Sequence, residues 1–354
     1  MLHSLRLSNG LATYCNRYIK THKYMLERDA GFPIIPNMLS GFYGLLDIFR
    51  FLMVMKRIMI GHLDIMKGIG VANTSLAFVS GKLLALCESD LPYIVNLTQQ
   101  GDIETLGRWD FDKKLLSNMT AHPKVDMETK ETFAFSWSFT FPHLTFFRID
   151  EKGVKHNEVP IFSMHKPSLI HDFALTKSFA IFHETQLIFS LAKVLTGRGF
   201  NAAHIINPWE NGTEEIVFVA SNVKTVKDFL FNRKLGIVLG KEKKTRYAYL
   251  GVLDETPKTS GLVKIDLETG NEVGRRFYGL GCFGGEPFFV RRNSDEDVEC
   301  EEDDGFVMTY VHNEHTDETI FLLMDAQSPE FTTIAAVKLP RRVPYGFHGL
   351  FLTN

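Results

Sequence analysis

The sequence predicts an all-β fold, and three observations carry that reading. Short runs rich in Val, Ile, Leu, Phe and Tyr recur through the whole chain. Turn chemistry separates them at short intervals, as in Ser80-Gly-Lys82, Gly101-Asp102, Asp150-Glu-Lys-Gly153 and Asp266-Leu-Glu-Thr-Gly270. No alternation of strand with long helix is visible, so a parallel βαβ sheet is not expected. A sandwich, a barrel and a propeller all fit such a pattern. Hairpins repeated along the whole length favour the propeller, although no sequence repeat is visible.

The predicted strands, in order, are 75–79 and 83–87 as a hairpin, then 93–97, 103–106, 132–136, 144–149, 215–220, 246–250, 261–266, 306–311 and 319–324. The acidic run 295–304 reads as a solvated loop. His312, Glu314 and His315 fall between two strand runs and read as a polar hairpin loop. The one helical signal lies in 42–60, where Leu45, Ile48, Phe49, Leu52, Met53 and Met55 recur at near-helical spacing. Asp47, Arg50, Lys56 and Arg57 interrupt it, so it is not a membrane span. It reads either as a helix packed on a core or as one lying in a membrane interface. No linker stands out, and residues 1–354 are expected to form one domain.

Composition narrows the function. Hydrophobic residues are 45% and charged residues 23% of the 354, which is enough for a sizeable core. The net charge of −3 provides no global basic field, so nucleic acid is not an expected partner. Cys15, Cys87, Cys282 and Cys300 are far apart, which fits free thiols and neither a disulfide framework nor a zinc finger. Phenylalanine supplies 30 residues against 10 tyrosines and 3 tryptophans, which fits an apolar cavity or a large core. The opening residues predict no secretory signal and no transit peptide.

Four of the 13 histidines stand in dense contexts beside apolar or aromatic residues: His122, His171, His204 and His348. Each is placed at a strand end or turn. Their spacing fixes nothing, but inner strands of a propeller converge on one axis and can gather such positions. The other histidines read as surface or packed residues. Gly279-Leu-Gly-Cys-Phe-Gly-Gly285 lacks the ending and the helix of a phosphate loop.

Several segments, in this order, resemble the carotenoid cleavage dioxygenases, most closely the plant plastid branch numbered four. They are Met1-Leu-His-Ser-Leu-Arg-Leu, Gly70-Val-Ala-Asn-Thr-Ser-Leu-Ala-Phe, Leu86-Cys-Glu-Ser-Asp-Leu-Pro-Tyr93 and Met119-Thr-Ala-His-Pro-Lys. Val159-Pro-Ile-Phe-Ser-Met, His171-Asp-Phe-Ala, Gly284-Gly-Glu-Pro-Phe-Phe-Val290 and Leu339-Pro-Arg-Arg-Val-Pro-Tyr-Gly-Phe-His-Gly349 complete the set. The resemblance implies a seven-bladed propeller, incomplete here, with a helical cap. It implies one Fe(II) held by His122, His171, His204 and His348, with Glu88 and Glu286 behind the ligands. The implied reaction uses O2 to split a double bond of a carotenoid or apocarotenoid, at 9,10 and 9',10', into carbonyl products. Phe141, Phe146, Trp209 and Phe283 are candidates to line the substrate tunnel. The implied location is the plastid, at a membrane or plastoglobule surface, or the cytoplasm if the chain is this short.

The sequence departs from the family at its start, between 186 and 199, and between 222 and 247. A third orienting acid has no match. These departures raise the alternative of an impaired carotenoid-binding remnant or a splice or truncation product.

Overall fold

The computed structural model describes residues 1–35, 52–54, 56–61, 68–168, 170–182, 201–211, 215–223, 245–253, 258–293, 300–346 and 348–353; for 201–211 and 215–223 it describes the backbone. They fall into two compact units. The first comprises Met1–Arg6, Cys15–Trp137 and Thr145–Pro160, and the second Leu7–Tyr14, Ser138–Leu144 and Ile161–Asn354.

Strands β1 (Leu2–Ser8) and β2 (Leu11–Arg17) form a hairpin. Helix α1 (His22–Ala30) follows. The sequence reading missed this helix because it has no apolar stripe and buries no residue. Its signals are at the ends. The Thr21 side chain accepts from Tyr24 N–H at 3.1 Å, and Gly31 closes the helix at φ 74°.

An antiparallel four-stranded sheet comes next: β3 (Ser75–Val79), β4 (Lys82–Leu86), β5 (Tyr93–Leu97) and β6 (Ile103–Arg108), in chain order. The inner strand β4 is buried on both faces. Its two-residue period sends Leu84 and Leu86 into a cluster with Phe111, Met119, Phe147 and Ile149. It sends Leu83 and Ala85 the other way, among Tyr93, Val95 and Ile103. This is why β4 reads as an unbroken apolar run. Leu84 is fully buried, so Leu84→Ala should cost about 2–5 kcal/mol. A lowered denaturant midpoint at unchanged slope is the expected readout.

Strands β7 (Lys124–Val125), β8 (Thr132–Trp137), β9 (Leu144–Ile149) and β10 (Val159–Pro160) make a second four-stranded sheet. Two small pairs follow, β11 (Ala174–Leu175) with β12 (Ala180–Ile181), and β13 (Asn201–Asn211) with β14 (Glu215–Val223).

The largest sheet has eight strands: β15 (Tyr247–Leu253), β16 (Thr259–Asp266), β17 (Glu272–Phe277), β18 (Cys282–Gly284), β19 (Phe288–Arg291), β20 (Gly305–Asn313), β21 (Glu318–Asp325) and β22 (Thr333–Lys338). Its core holds Tyr249, Leu262, Val307, Leu322, Met324 and Phe331. Strand β20 runs two residues beyond the sequence reading. His312 therefore lies in a strand, not a loop. It pairs with Thr319, and its Nδ1 lies 2.9 Å from Thr319 Oγ1 at 2% exposure.

Within 42–60, residues 52–54 and 56–59 are helical, and the rest of the predicted face, Leu45, Ile48, Phe49 and Met55 included, lies outside the described residues. Leu52, Met53, Met59 and Ile60 are exposed. Among the described residues no helix is long and apolar enough to cross a membrane. Residues 295–299 of the acidic run also lie outside the described residues.

Candidate metal centre

Glu88 sits in the turn that joins β4 to β5. Three contacts of that turn place it. The Thr74 hydroxyl donates to Glu88 Oε2 at 3.1 Å, and the Trp137 indole N–H donates to the Glu88 carbonyl at 2.8 Å. Two residues on, the Asp90 carbonyl accepts from Met119 N–H at 3.2 Å. That last bond ties the glutamate turn to the segment 118–122, which carries His122.

Segment 118–122 is stitched along β8. Thr120 N–H donates to the Phe135 carbonyl at 2.8 Å. The Asn118 amide both donates to and accepts from the Trp137 backbone, at 2.9 and 3.0 Å. The Ser75 hydroxyl donates to the Ala121 carbonyl, and His122 N–H donates to Thr120 Oγ1 at 3.1 Å. Met119, Thr120 and Ala121 are fully buried. The outcome is that a Glu88 carboxylate oxygen and a ring nitrogen of His122 lie within 4.8 Å of each other.

Beneath this turn lies a buried charge. Asp90 accepts from the Arg108 guanidinium at 2.6 Å, Leu91 N–H at 2.8 Å, Gly70 N–H at 3.1 Å and the Tyr93 hydroxyl at 3.4 Å. Burial pushes the Asp90 carboxyl up, against Arg108 and the backbone donors, which pull it down. The Tyr93 phenol is pushed up to about 12, chiefly by burial and then by the Asp90 charge. Gly68 and Gly70 are required here. A Cβ would come within 2.3 and 2.4 Å of Asp90 atoms respectively. Nothing local in the sequence marks this network, since its members are up to 40 residues apart.

The second unit pairs Glu286 with His348. Glu286 lies in the short connection between β18 and β19, and His348 lies in the irregular segment after β22. Glu286 Oε1 lies 3.1 Å from His348 Nδ1, and Oε2 accepts from Gly349 N–H at 2.9 Å. Their side chains are 3% and 9% exposed. An ionised carboxylate only accepts, so this contact places a proton on Nδ1. Gly284 allows the approach of Tyr278, whose ring would lie 2.6 Å from a Cβ at that position.

His171, partly buried, lies in the irregular stretch before β11, beside Asp172, whose carboxylate accepts from Phe173 N–H at 2.8 Å. His204 lies inside β13, not at a strand end, in the irregular register between Ala202 and Ile205; its side chain is outside the description. Thus each unit joins one of the predicted histidines to one of the predicted glutamates.

The aromatic candidates are placed as follows. Phe146 stacks on Phe133 with centroids 6.1 Å apart and lines a cavity of about 480 Å³ with Phe147, Val154 and Val159. Phe141 is 57% exposed and leans on Phe162. Phe283 packs edge-on to Tyr345 at 6.3 Å, under the Lys258 ammonium at 4.7 Å. Trp209 is on β13, with its side chain outside the description.

Residues 1–201 and 240–353 match the family model described as retinal pigment epithelial membrane protein. The segment between, which contains His204, is unmatched. The chain is 44% identical to the probable carotenoid cleavage dioxygenase 4, chloroplastic, of Arabidopsis thaliana, over 99% of this chain and 71% of that protein. That match extends over 424 aligned positions against 354 residues, so internal segments of the relative face gaps here. The zeaxanthin 7,8(7',8')-cleavage dioxygenase, chromoplastic, of Crocus sativus is 41% identical over 83% of this chain and 98% of its own length. The fold resembles that of a cobalt-substituted Synechocystis apocarotenoid oxygenase, with a TM-score of 0.71 and 19% identity, over 99% of this chain and 86% of that one. By sequence match over most of its length, the chain belongs to the carotenoid cleavage dioxygenase family that includes retinal pigment epithelial membrane protein.

Proposed function

We propose that the chain is an Fe(II)-dependent dioxygenase that cleaves one double bond of a carotenoid or apocarotenoid, at 9,10 and 9',10'. The observation that carries this reading is the buried His348–Glu286 pair, in which the carboxylate stands behind the Nδ1 side of the ring. Imidazole donors suit Fe(II). His348 would hold the ion together with His122, His171 and His204, with Glu88 and Glu286 orienting two of the rings. Bound Fe(II) would supply the redox chemistry with dioxygen. Both oxygen atoms end in the two carbonyl groups, so the reaction needs no outside reductant.

The chain's own part is to bind, orient and keep water out. Glu286 fixes a ring and its tautomer. Phe141, Phe146, Trp209 and Phe283 line the approach of the polyene. A meander whose inner strand is buried on both faces, as β4 is, supports a propeller; in this reading it has seven blades and a helical cap and forms one domain. Metal per chain, measured beside product formation from β-carotene and an apocarotenal under O2, tests the proposal. Metal together with products of 9,10 cleavage supports it. Products of 7,8 cleavage move the bond, and a protein with neither metal nor product sinks the proposal.

The gaps in the match to the Arabidopsis relative, and the position of His204 outside the family match, favour a second reading: a carotenoid binder with impaired catalysis. Polyene binding without product would establish it.

Chloroplastic relatives and the exposed Leu52, Met53, Met59 and Ile60 support a place at a plastid membrane or plastoglobule surface. Each such side chain, fully buried in lipid, contributes about 1.5–3 kcal/mol. The double substitution Leu52→Ser with Met53→Ser should abolish flotation with liposomes at unchanged stability. Retained flotation, or loss of the fold, counts against an interfacial role.

A further inference from the structure

Among the described residues the segment after β22 forms no strand, yet it carries His348. It is fastened at successive points. Leu339 N–H donates to the Thr319 carbonyl at 2.8 Å, and Val343 N–H donates to Thr319 Oγ1 at 3.3 Å. The Tyr345 hydroxyl then donates to Glu314 Oε1 at 2.9 Å. Glu314 sits in the turn between β20 and β21, where both its carboxylate oxygens accept from Lys258 Nζ at 2.8 Å and its own N–H donates to the Gly281 carbonyl at 2.9 Å. Lys258 and the Tyr345 hydroxyl hold the Glu314 carboxyl below its ordinary range. The Tyr345 ring packs edge-on to Phe283 and His312, with Arg342 over its face at 5.7 Å.

We infer that Glu314 and Tyr345, braced by Lys258, form a latch that positions His348 for metal binding. The inference rests on the iron reading above. Among the described residues, the Tyr345 hydroxyl is the last hydrogen-bonded group before His348, three residues away. Without its hydroxyl contact the nearest upstream backbone anchor is Val343, five residues away. Moving the last hydrogen-bonded point from three to five residues away alone lowers the effective concentration of the ring at its site roughly two-fold. Looser orientation of the imidazole adds to that, so about a three- to ten-fold loss of metal affinity is expected. Glu314 and Tyr345 are positioning residues, since the argument gives them no contact with substrate or metal.

The test uses the full chain and Co(II) as the probe. Tyr345→Phe keeps the ring packing and removes only the hydroxyl. Glu314→Ala removes the acceptor, and Glu314→Gln restores an acceptor without the charge. Co(II) affinity is read by titration, and exchange of the Gly349 amide is read on the metal-free protein. The expected result is a three- to ten-fold weaker Co(II) affinity and faster Gly349 exchange in Tyr345→Phe and Glu314→Ala, with part of both recovered in Glu314→Gln. Unchanged Gly349 exchange overturns the latch, as does unchanged affinity where the parent protein binds Co(II). A parent that binds no Co(II) sinks the iron reading, and Gly349 exchange alone then decides the latch.

Discussion

Replacing Glu286 with glutamine should weaken metal binding about 10–100-fold while the chain stays folded. The wild-type carboxylate accepts twice, from His348 Nδ1–H and from Gly349 N–H. A glutamine offers one oxygen and one NH2 group, so one of the two donors meets another donor. If the oxygen faces Gly349, His348 must turn its Nδ1 lone pair to the amide. The proton then moves to Nε2 and blocks the nitrogen that would bind the ion. If the oxygen faces His348, the Gly349 contact is lost and the segment loosens. His348→Ala removes the donor altogether and should lower the affinity further. Calorimetric titration with Co(II), with near-ultraviolet circular dichroism as a fold control, measures both. Equal affinities in parent and variants would remove this pair from the metal centre.

Asp90→Leu should cost about 3–5 kcal/mol, the usual consequence of taking one partner from a buried ion pair. The Asp90 side chain is 1% exposed and Arg108 is 22% exposed. The substitution leaves the guanidinium without its carboxylate and takes the acceptor from Gly70 N–H and Leu91 N–H. The damage reaches the candidate site because the Asp90 turn carries Glu88 and holds the Met119 amide. Asp90→Asn, which keeps the shape and an acceptor, should cost less. Adding Arg108→Met to Asp90→Leu should recover part of the loss, because the guanidinium that lost its carboxylate is then gone. Urea unfolding of the parent and the three variants decides it. A double variant no better than Asp90→Leu would mean that the loss comes from the backbone donors and not from the pair.

Much of the β-structure was legible in the sequence. Strands 75–79, 93–97 and 144–149 begin and end where alternation and turn residues place them. Helix α1 was not legible, since its evidence is a threonine, a glycine and no apolar period. His312 reads as loop because it opens a polar stretch between two strand runs, whereas its strand position follows from the Thr319 opposite it. Of the candidate site, Glu88, His122, Glu286 and His348 follow from the resemblance alone; their spacing in the fold, a Glu88 oxygen within 4.8 Å of a His122 nitrogen and Glu286 at 3.1 Å from His348, is not legible in the sequence. Neither the Asp90–Arg108 network nor the Glu314–Tyr345 contact left a trace in the sequence.

The division has a physical basis. Strand and turn positions depend on side-chain period and on φ preferences, which act within a few residues and can be read along the chain. The contacts of Glu286 with His348, 62 residues apart, and of Asp90 with Arg108, 18 apart, depend on how strands from distant segments register. Register is set by mutual burial and by the exact placement of turns. Only the folded chain decides which carboxylate stands behind which imidazole.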